Sequence, residues 1–258
     1  MELYLVIGFF GLVTGFLSGL LGIGGGIIMA PLLLYVPPLV GLKPLTMQCV
    51  AGLTIVQGLA SCLSGAFVHK RMCFVSNQLS ICMGSAIFLF AVIGGAGSKF
   101  VSNTLLLFIF ACLAFTASIC MLLPVSHDIE KPNVSGLEFS RFRALATASG
   151  VGLLGGLVGQ GGSFILIPLM TSYVQIPTRI AIGTNLAIVL LSSLAGFIGK
   201  SLTGQIEWLL TIPIILTVMP AAAVGGLVSC KVSTIYLRRL LAILIAIAAF
   251  RTWVSLLC

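Results

Sequence analysis

The sequence predicts an all-α, polytopic membrane protein made of two homologous four-segment halves. Three observations predict it. Of 258 residues, 59% are hydrophobic and 7% charged, against roughly 25% charged in soluble domains. Uncharged runs at 3–42, 72–98, 100–126, 144–178, 180–199 and 208–230 each reach the roughly 20 residues that span a bilayer. Finally, the chain repeats itself at long range.

Taken in order, apolar runs and polar breaks give segments at about 3–36, 44–68, 73–97, 101–123, 143–172, 178–199, 206–229 and 236–257. The first is read as a retained membrane segment. Glu2 stands where a leader carries basic residues, and the apolar stretch runs past Gly26, beyond a leader's core of roughly 7–15 residues. The long hydrophilic break, "PVSHDIEKPNVSGLEFSR" at 124–141, holds two prolines and three of the five acids. It reads as a linker (124–142) between a first repeat (1–123) and a second (143–258). A shift of 137 positions lays Gly15, Gly19, Gly22, Gly24, Gly25 and Pro31 on Gly152, Gly156, Gly159, Gly161, Gly162 and Pro168. A shift of 131 lays Gly52, Ser61, Leu63 and Gly65 on Gly183, Ser192, Leu194 and Gly196. Internal duplication of this kind builds many transporters.

The charges bear on how the halves are related. If all eight segments cross, the 13 Lys and Arg divide seven against six between the two sides, which selects neither orientation. At 1.5 Å per residue, however, segments 3–36 and 143–172 exceed the roughly 30 Å hydrocarbon core. If each breaks at its glycines and turns back, Lys70, Arg71, Lys131, Arg141, Arg143, Arg179, Lys231, Arg238 and Arg239 share one side. Lys43, Lys99, Lys200 and Arg251 take the other. That nine-to-four division is the better positive-inside pattern, and it makes the halves inverted. Residues 41 and 176 then lie on opposite sides. Parallel halves remain the other reading. The net charge of +8 is accounted for by these loops and by anionic lipid, not by nucleic acid.

The glycines divide into two kinds. Gly11, Gly15 and Gly19, like Gly152 and Gly156, have the GxxxG spacing of close helix packing, so Gly15→Ala is expected to be mild. Gly22, Gly24, Gly25 and Gly26 are too dense for packing alone, at about 1 kcal/mol each against helix. They suit a chain that leaves helical geometry and restarts at Gly25–Ile28, and again at Gly162–Ile165. A restarted helix inside a membrane offers three or four free N–H donors and about half a positive charge. Two such ends make a site for a small anion without any Lys or Arg.

The acids Glu2, Asp128, Glu130, Glu138 and Glu207 place no carboxylate mid-membrane, so no cation path is expected. Gln48, Thr54 and Gln57, with Thr184 and Asn185 of "IGTN", are the polar candidates for oxyanion contacts or interhelical hydrogen bonds. Lys99 and Lys200 are expected to snorkel to the interface. The eight cysteines lack metal-ligand spacing and read as packing residues; no metal or cofactor is expected. His69 and His127 lie at loop edges without a nucleophile or ligand cluster, which argues against an enzyme.

"GFLSGLLGIGGGIIMAPLLL" and "GVGLLGGLVGQGGSFILIPLM" together resemble the TauE/SafE family of sulfite-exporter-like membrane transporters, over essentially the whole chain. The resemblance implies a multi-pass protein of the cell membrane that moves sulfite, sulfonates, sulfoacetate or other small organic anions. Carried over by motif, the substrate-binding positions are Gly22, Gly24, Gly25, Gly26, Gly159, Gly161, Gly162, Ser163, Thr184 and Asn185; Thr54 and Gln57 join them on chemistry. The first copy reads "AGLT" where the second has "IGTN", and Gln160 interrupts the second glycine run, so the halves are not chemically equivalent. An anion channel and a purely structural subunit are the alternatives. A coupling ion (H+ or Na+), transport direction and oligomeric state are left open.

Overall fold

The computed structural model describes residues 2–71, 75–122, 139–159, 162–229 and 231–257. Most of the expected linker, His127 and Gly161 lie outside the described residues, as do the side chains of His69 and Ser163. Among the described residues every regular element is helical. The elements are α1 (Glu2–Leu21), α2 (Gly26–Leu39), α3 (Met47–Arg71), α4 (Asn77–Gly97), α5 (Asn103–Leu122), α6 (Arg141–Val158), α7 (Ser163–Ser172), α8 (Thr178–Leu202), α9 (Trp208–Ser229) and α10 (Thr234–Leu257). Of these, α1, α3, α4, α5, α8 and α9 are long and apolar enough to cross a membrane. The protein is a multi-pass membrane protein.

Helices α3 and α8 are the most enclosed of the six and pack on one another at the centre. Glycines set how closely the flanking helices approach. A Cβ on Gly15 would lie 2.8 Å from Val218 O, and one on Gly152 would lie 2.9 Å from Ile87 O. Gly19 packs on Ala222 and Gly226, and Gly156 on Ala91 and Gly95. These are backbone-to-backbone contacts of the small-residue kind. They correct one expectation: Gly15→Ala would drive a methyl into the α9 main chain, so it is not a mild change.

The same contacts give directions. Along α1 and α9 the paired numbers rise together: Gly8 meets Pro213, Gly15 meets Ala221 and Gly19 meets Gly226. Helices α4 and α6 pair likewise, Gly152 on Ile87 and Gly156 on Gly95. So do α4 and α8, through Gly84 on Leu191 and Gly95 on Gly196. Against these, α3 and α8 run antiparallel, since Gly58 meets Ser193 while Gly65 meets Leu186. Gly52, near the start of α3, abuts Gln205 just before α9, so these two helices begin at one end. Helices α1, α3 and α9 therefore run one way and α4, α6 and α8 the other. For α1 and α3 to share a direction, the chain between them must return, and α2 is the element that does so.

Lys200 is fully buried rather than snorkelling. Its Nζ donates to Ser98 Oγ at 2.7 Å and Gln205 Oε1 at 3.5 Å, tying the end of α8 to the end of α4. A desolvated ammonium held by neutral acceptors is costly; its place in the last turn of α8 favours it through the helix dipole. Lys99 is exposed as expected.

Candidate anion site at two helix breaks

Helix α1 ends because Gly22 turns left-handed (φ +71°), its N–H still bonding Ser18 O at 2.8 Å. Gly24 and Gly25 follow at +67° and +73°, conformations that cost a residue with a Cβ about 1–2 kcal/mol. Gly25 is the N-cap of α2, with no side-chain cap. The first N–H groups of α2 therefore have no intrahelical acceptor and no capping oxygen. This turn lies at mid-depth. Ser61, in the middle of α3, donates to Gly24 O at 3.3 Å, and a Cβ on Gly25 would lie 2.9 Å from Thr14 O and collide with Gln57 Nε2.

Unpaired polar atoms surround it. Gln57 donates from Nε2 to Thr14 Oγ1 at 3.1 Å, and Thr14 Oγ1 donates in turn to Phe10 O at 2.7 Å. That chain fixes the amide and leaves Gln57 Oε1 buried without a partner. Ser18 Oγ and Ser193 Oγ are likewise buried and unpaired. A Cβ on Gly58 would reach both Ser193 Oγ (3.0 Å) and Gly24 O (3.8 Å), which places Ser193 beside the turn. Buried orphans of this kind are rare and call for water or a ligand.

The second break repeats the backbone. Gly159 ends α6 at φ +85°, its N–H on Gly155 O at 3.0 Å, and Gly162 caps α7 at +67°, again with no side-chain cap. A Cβ on Gly162 would lie 2.7 Å from Val151 O, beside Gly152 and so level with the middle of α4. Helices α2 and α7 touch.

Each break leaves a buried carbonyl that needs a donor, and each receives one from a central helix beyond the break. Asn185 Nδ2 of α8 donates to Gly22 O, and Thr54 Oγ1 of α3 donates to Gly159 O at 3.1 Å. Thr54 also lies 3.2 Å from Ala51 O. Thus Gly22, Gly24, Gly25, Gly26, Gln57 and Asn185 gather at the first break, and Gly159, Gly162 and Thr54 at the second, where Ser163 opens α7. Thr184 turns elsewhere: its Oγ1 accepts from Ser76 N at 3.0 Å, at the start of α4. Gln48 sits apart as well, donating from Nε2 to Val101 O at 3.3 Å. Thr14, Ser18 and Ser193 went unrecognised in the sequence; their signal was polarity on otherwise apolar helix faces, with Thr14 and Ser18 one turn apart and one turn before Gly22.

Residues 7–252 match the profile of the family described as Sulfite exporter TauE/SafE. The Probable membrane transporter protein YunE of Bacillus subtilis is 27% identical over 237 residues, covering 84% of this chain and 83% of that protein. A probable membrane transporter protein of Xylella fastidiosa is 27% identical over 261 residues, 99% of this chain and 98% of its own. One from Methanocaldococcus jannaschii is 25% identical over 199 residues, 77% and 71% respectively. No solved structure gives a significant match.

Proposed function

Because this chain belongs to the Sulfite exporter TauE/SafE family of membrane transporters, we propose that it carries small anions across the cell membrane. The substrate class is sulfur oxyanions or organosulfonates of the sulfite or sulfoacetate type, and the site is the pair of glycine breaks. One observation carries the reading: α2 and α7 both begin at mid-depth on a left-handed glycine with no side-chain cap. Each such end presents bare amides and about half a positive charge. Together they attract a monoanion by about 4 kcal/mol at 4 Å and an effective dielectric near 20, enough to draw an anion in without trapping it.

In this reading the amides of Gly25, Gly26, Gly162 and Ser163 are the donors. Gly24 and Gly161 leave room for the anion, while Gly22 and Gly159 make the turns. Asn185 and Thr54 hold the turns open, Gln57 sets the polarity of the first, and Thr184 fixes the start of α4. The protein is a carrier rather than an enzyme.

Two inverted repeats supply the alternating access. The support is that α1 with α9 and α4 with α6 exchange when the halves exchange, as do α3 with α9 and α8 with α4. The counterparts α1 and α6, α3 and α8, and α4 and α9 run in opposite directions. The eight segments then count α1–α2 and α6–α7 each as one returning element. This topology gives the nine-to-four division of basic residues, with the end where α3 finishes facing the cytoplasm.

The test is melting of the purified protein against sulfite, sulfate, thiosulfate, sulfoacetate, taurine, acetate and chloride, followed by flux in liposomes. The substrate at about 100 times its dissociation constant stabilises by about 2.7 kcal/mol, and its flux saturates. Flux without saturation would make the protein a channel. No stabilisation by any sulfur anion, with flux equal to empty liposomes, would refute the proposal.

A further inference from the structure

A groove of about 280 Å³ runs between α2 and α10, on the outer side of α2. Its walls are hydrocarbon, with Ile28, Pro31 and Leu32 on one side and Leu244 and Ile247 on the other. Ile247 is 61% exposed, so the groove opens on the outer face of the bundle, where lipid tails lie.

Its far end is polar. Arg251 stands over the Tyr35 ring, 5.0 Å from the ring centre, and has no carboxylate partner among the described residues. Tyr35 Oη is buried and makes no hydrogen bond. Arg251 lies six residues before the end of α10, about 9 Å of helix at 1.5 Å per residue, the depth at which an arginine reaches the headgroup layer. The groove thus pairs an acyl-sized apolar slot with a guanidinium and a phenol aimed at headgroup height. A guanidinium takes a phosphate in a two-pronged hydrogen bond, and basic pockets between membrane helices select anionic headgroups. A small hydrated anion has nothing to bond along these walls.

We propose that the α2–α10 groove binds one anionic phospholipid, its acyl chain against α2 and its phosphate on Arg251 and Tyr35. The lipid would fill the space beside the short helix α2, whose first turn is part of the break.

The experiment is native mass spectrometry of protein released from micelles doped with phosphatidylglycerol and phosphatidylethanolamine of identical chains. The wild type should retain one phosphatidylglycerol in preference to phosphatidylethanolamine. Arg251→Gln should lower that occupancy about fivefold, and Arg251→Lys should keep most of it. Tyr35→Phe should reduce it less, and Ile247→Trp, which covers the slot, should remove both lipids. Lipid-free melting temperatures establish that each variant folds. Should Arg251→Gln not fold, Tyr35→Phe decides: retention of phosphatidylglycerol falls. Equal retention of the two lipids by the wild type would overturn the proposal. So would unchanged retention in folded Arg251→Gln or, where that variant does not fold, in Tyr35→Phe, as would a dimer that excludes lipid. None of these readings depends on transport.

Discussion

The two breaks share a backbone and differ in chemistry. At the first, Thr14, Gln57 and Ser61 meet the turn, all fully buried. The positions that match them at the second are Val151, Ile188 and Ser192, of which Ser192 alone is polar. Yet the left-handed glycines, the retained αL closures at Gly22 and Gly159 and the uncapped starts of α2 and α7 recur. Backbone shape here comes from glycine and from close helix contacts, whereas polarity comes from side chains on neighbouring helices, which are free to diverge. In the proposed site both ends would contribute field, while side-chain hydrogen bonds to an anion would come from the first break.

The largest expected effect removes the shared part. Gly25→Leu and Gly162→Leu each put a side chain at a left-handed position against main chain, the first meeting Thr14 O and the second Val151 O. Both should reduce liposome flux to background. If only Gly25→Leu did so, the equivalence of the two ends would be broken.

Gln57→Leu sharpens the contrast. The wild-type amide already leaves Oε1 unpaired, and Thr14 Oγ1 keeps its own bond to Phe10 O, so the change should cost no more than one neutral hydrogen bond, about 0.5–1.5 kcal/mol. Melting should therefore move little while flux falls by about 10–100-fold, the worth of a hydrogen bond from the second Nε2 proton to a charged ligand. Ile188→Gln, the mirror change, should not raise flux.

Next in size come the donors to the break carbonyls. Asn185→Ala strands a buried carbonyl at Gly22 and should cost about 1–3 kcal/mol in denaturant unfolding. Thr54→Val should cost about 0.5–1.5 kcal/mol, because its hydroxyl is shared with Ala51 O. Equal costs would mean that the two turns are held alike after all.

The smallest effects on the contrast itself lie at glycines away from both turns, where stability alone should change. Gly15→Ala should destabilise by about 1–3 kcal/mol through overpacking on Val218. Gly150→Ala meets nothing within 4 Å and should instead stabilise by up to about 1 kcal/mol.

Much of this was legible in the sequence, and for a physical reason. Uncharged runs of bilayer length admit helices and little else, and glycine density marked where they break: the restarts expected at Gly25 and Gly162 are the N-caps of α2 and α7. What the sequence hid was three-dimensional. The neighbours of Gly15 depend on which helix packs there, so its cost could not be read from GxxxG spacing. Lys200 is near a helix end, which looks like a snorkelling position; only the fold brings Ser98 and Gln205 onto its ammonium. Likewise, "IGTN" gave Thr184 and Asn185 as neighbours, but a helix turns successive side chains about 100° apart. One therefore meets Gly22 and the other Ser76.

The most direct measurement of the central claim is amide chemical shift in protein labelled with 15N only at glycine, titrated with the anion that most raises the melting temperature. Saturable shifts are expected at Gly25, Gly26 and Gly162, with the packing glycines Gly15, Gly19, Gly152 and Gly156 unmoved. Saturable binding that leaves the Gly25, Gly26 and Gly162 amides unshifted would contradict the proposed site, since the anion would then be held somewhere other than the two bare helix ends.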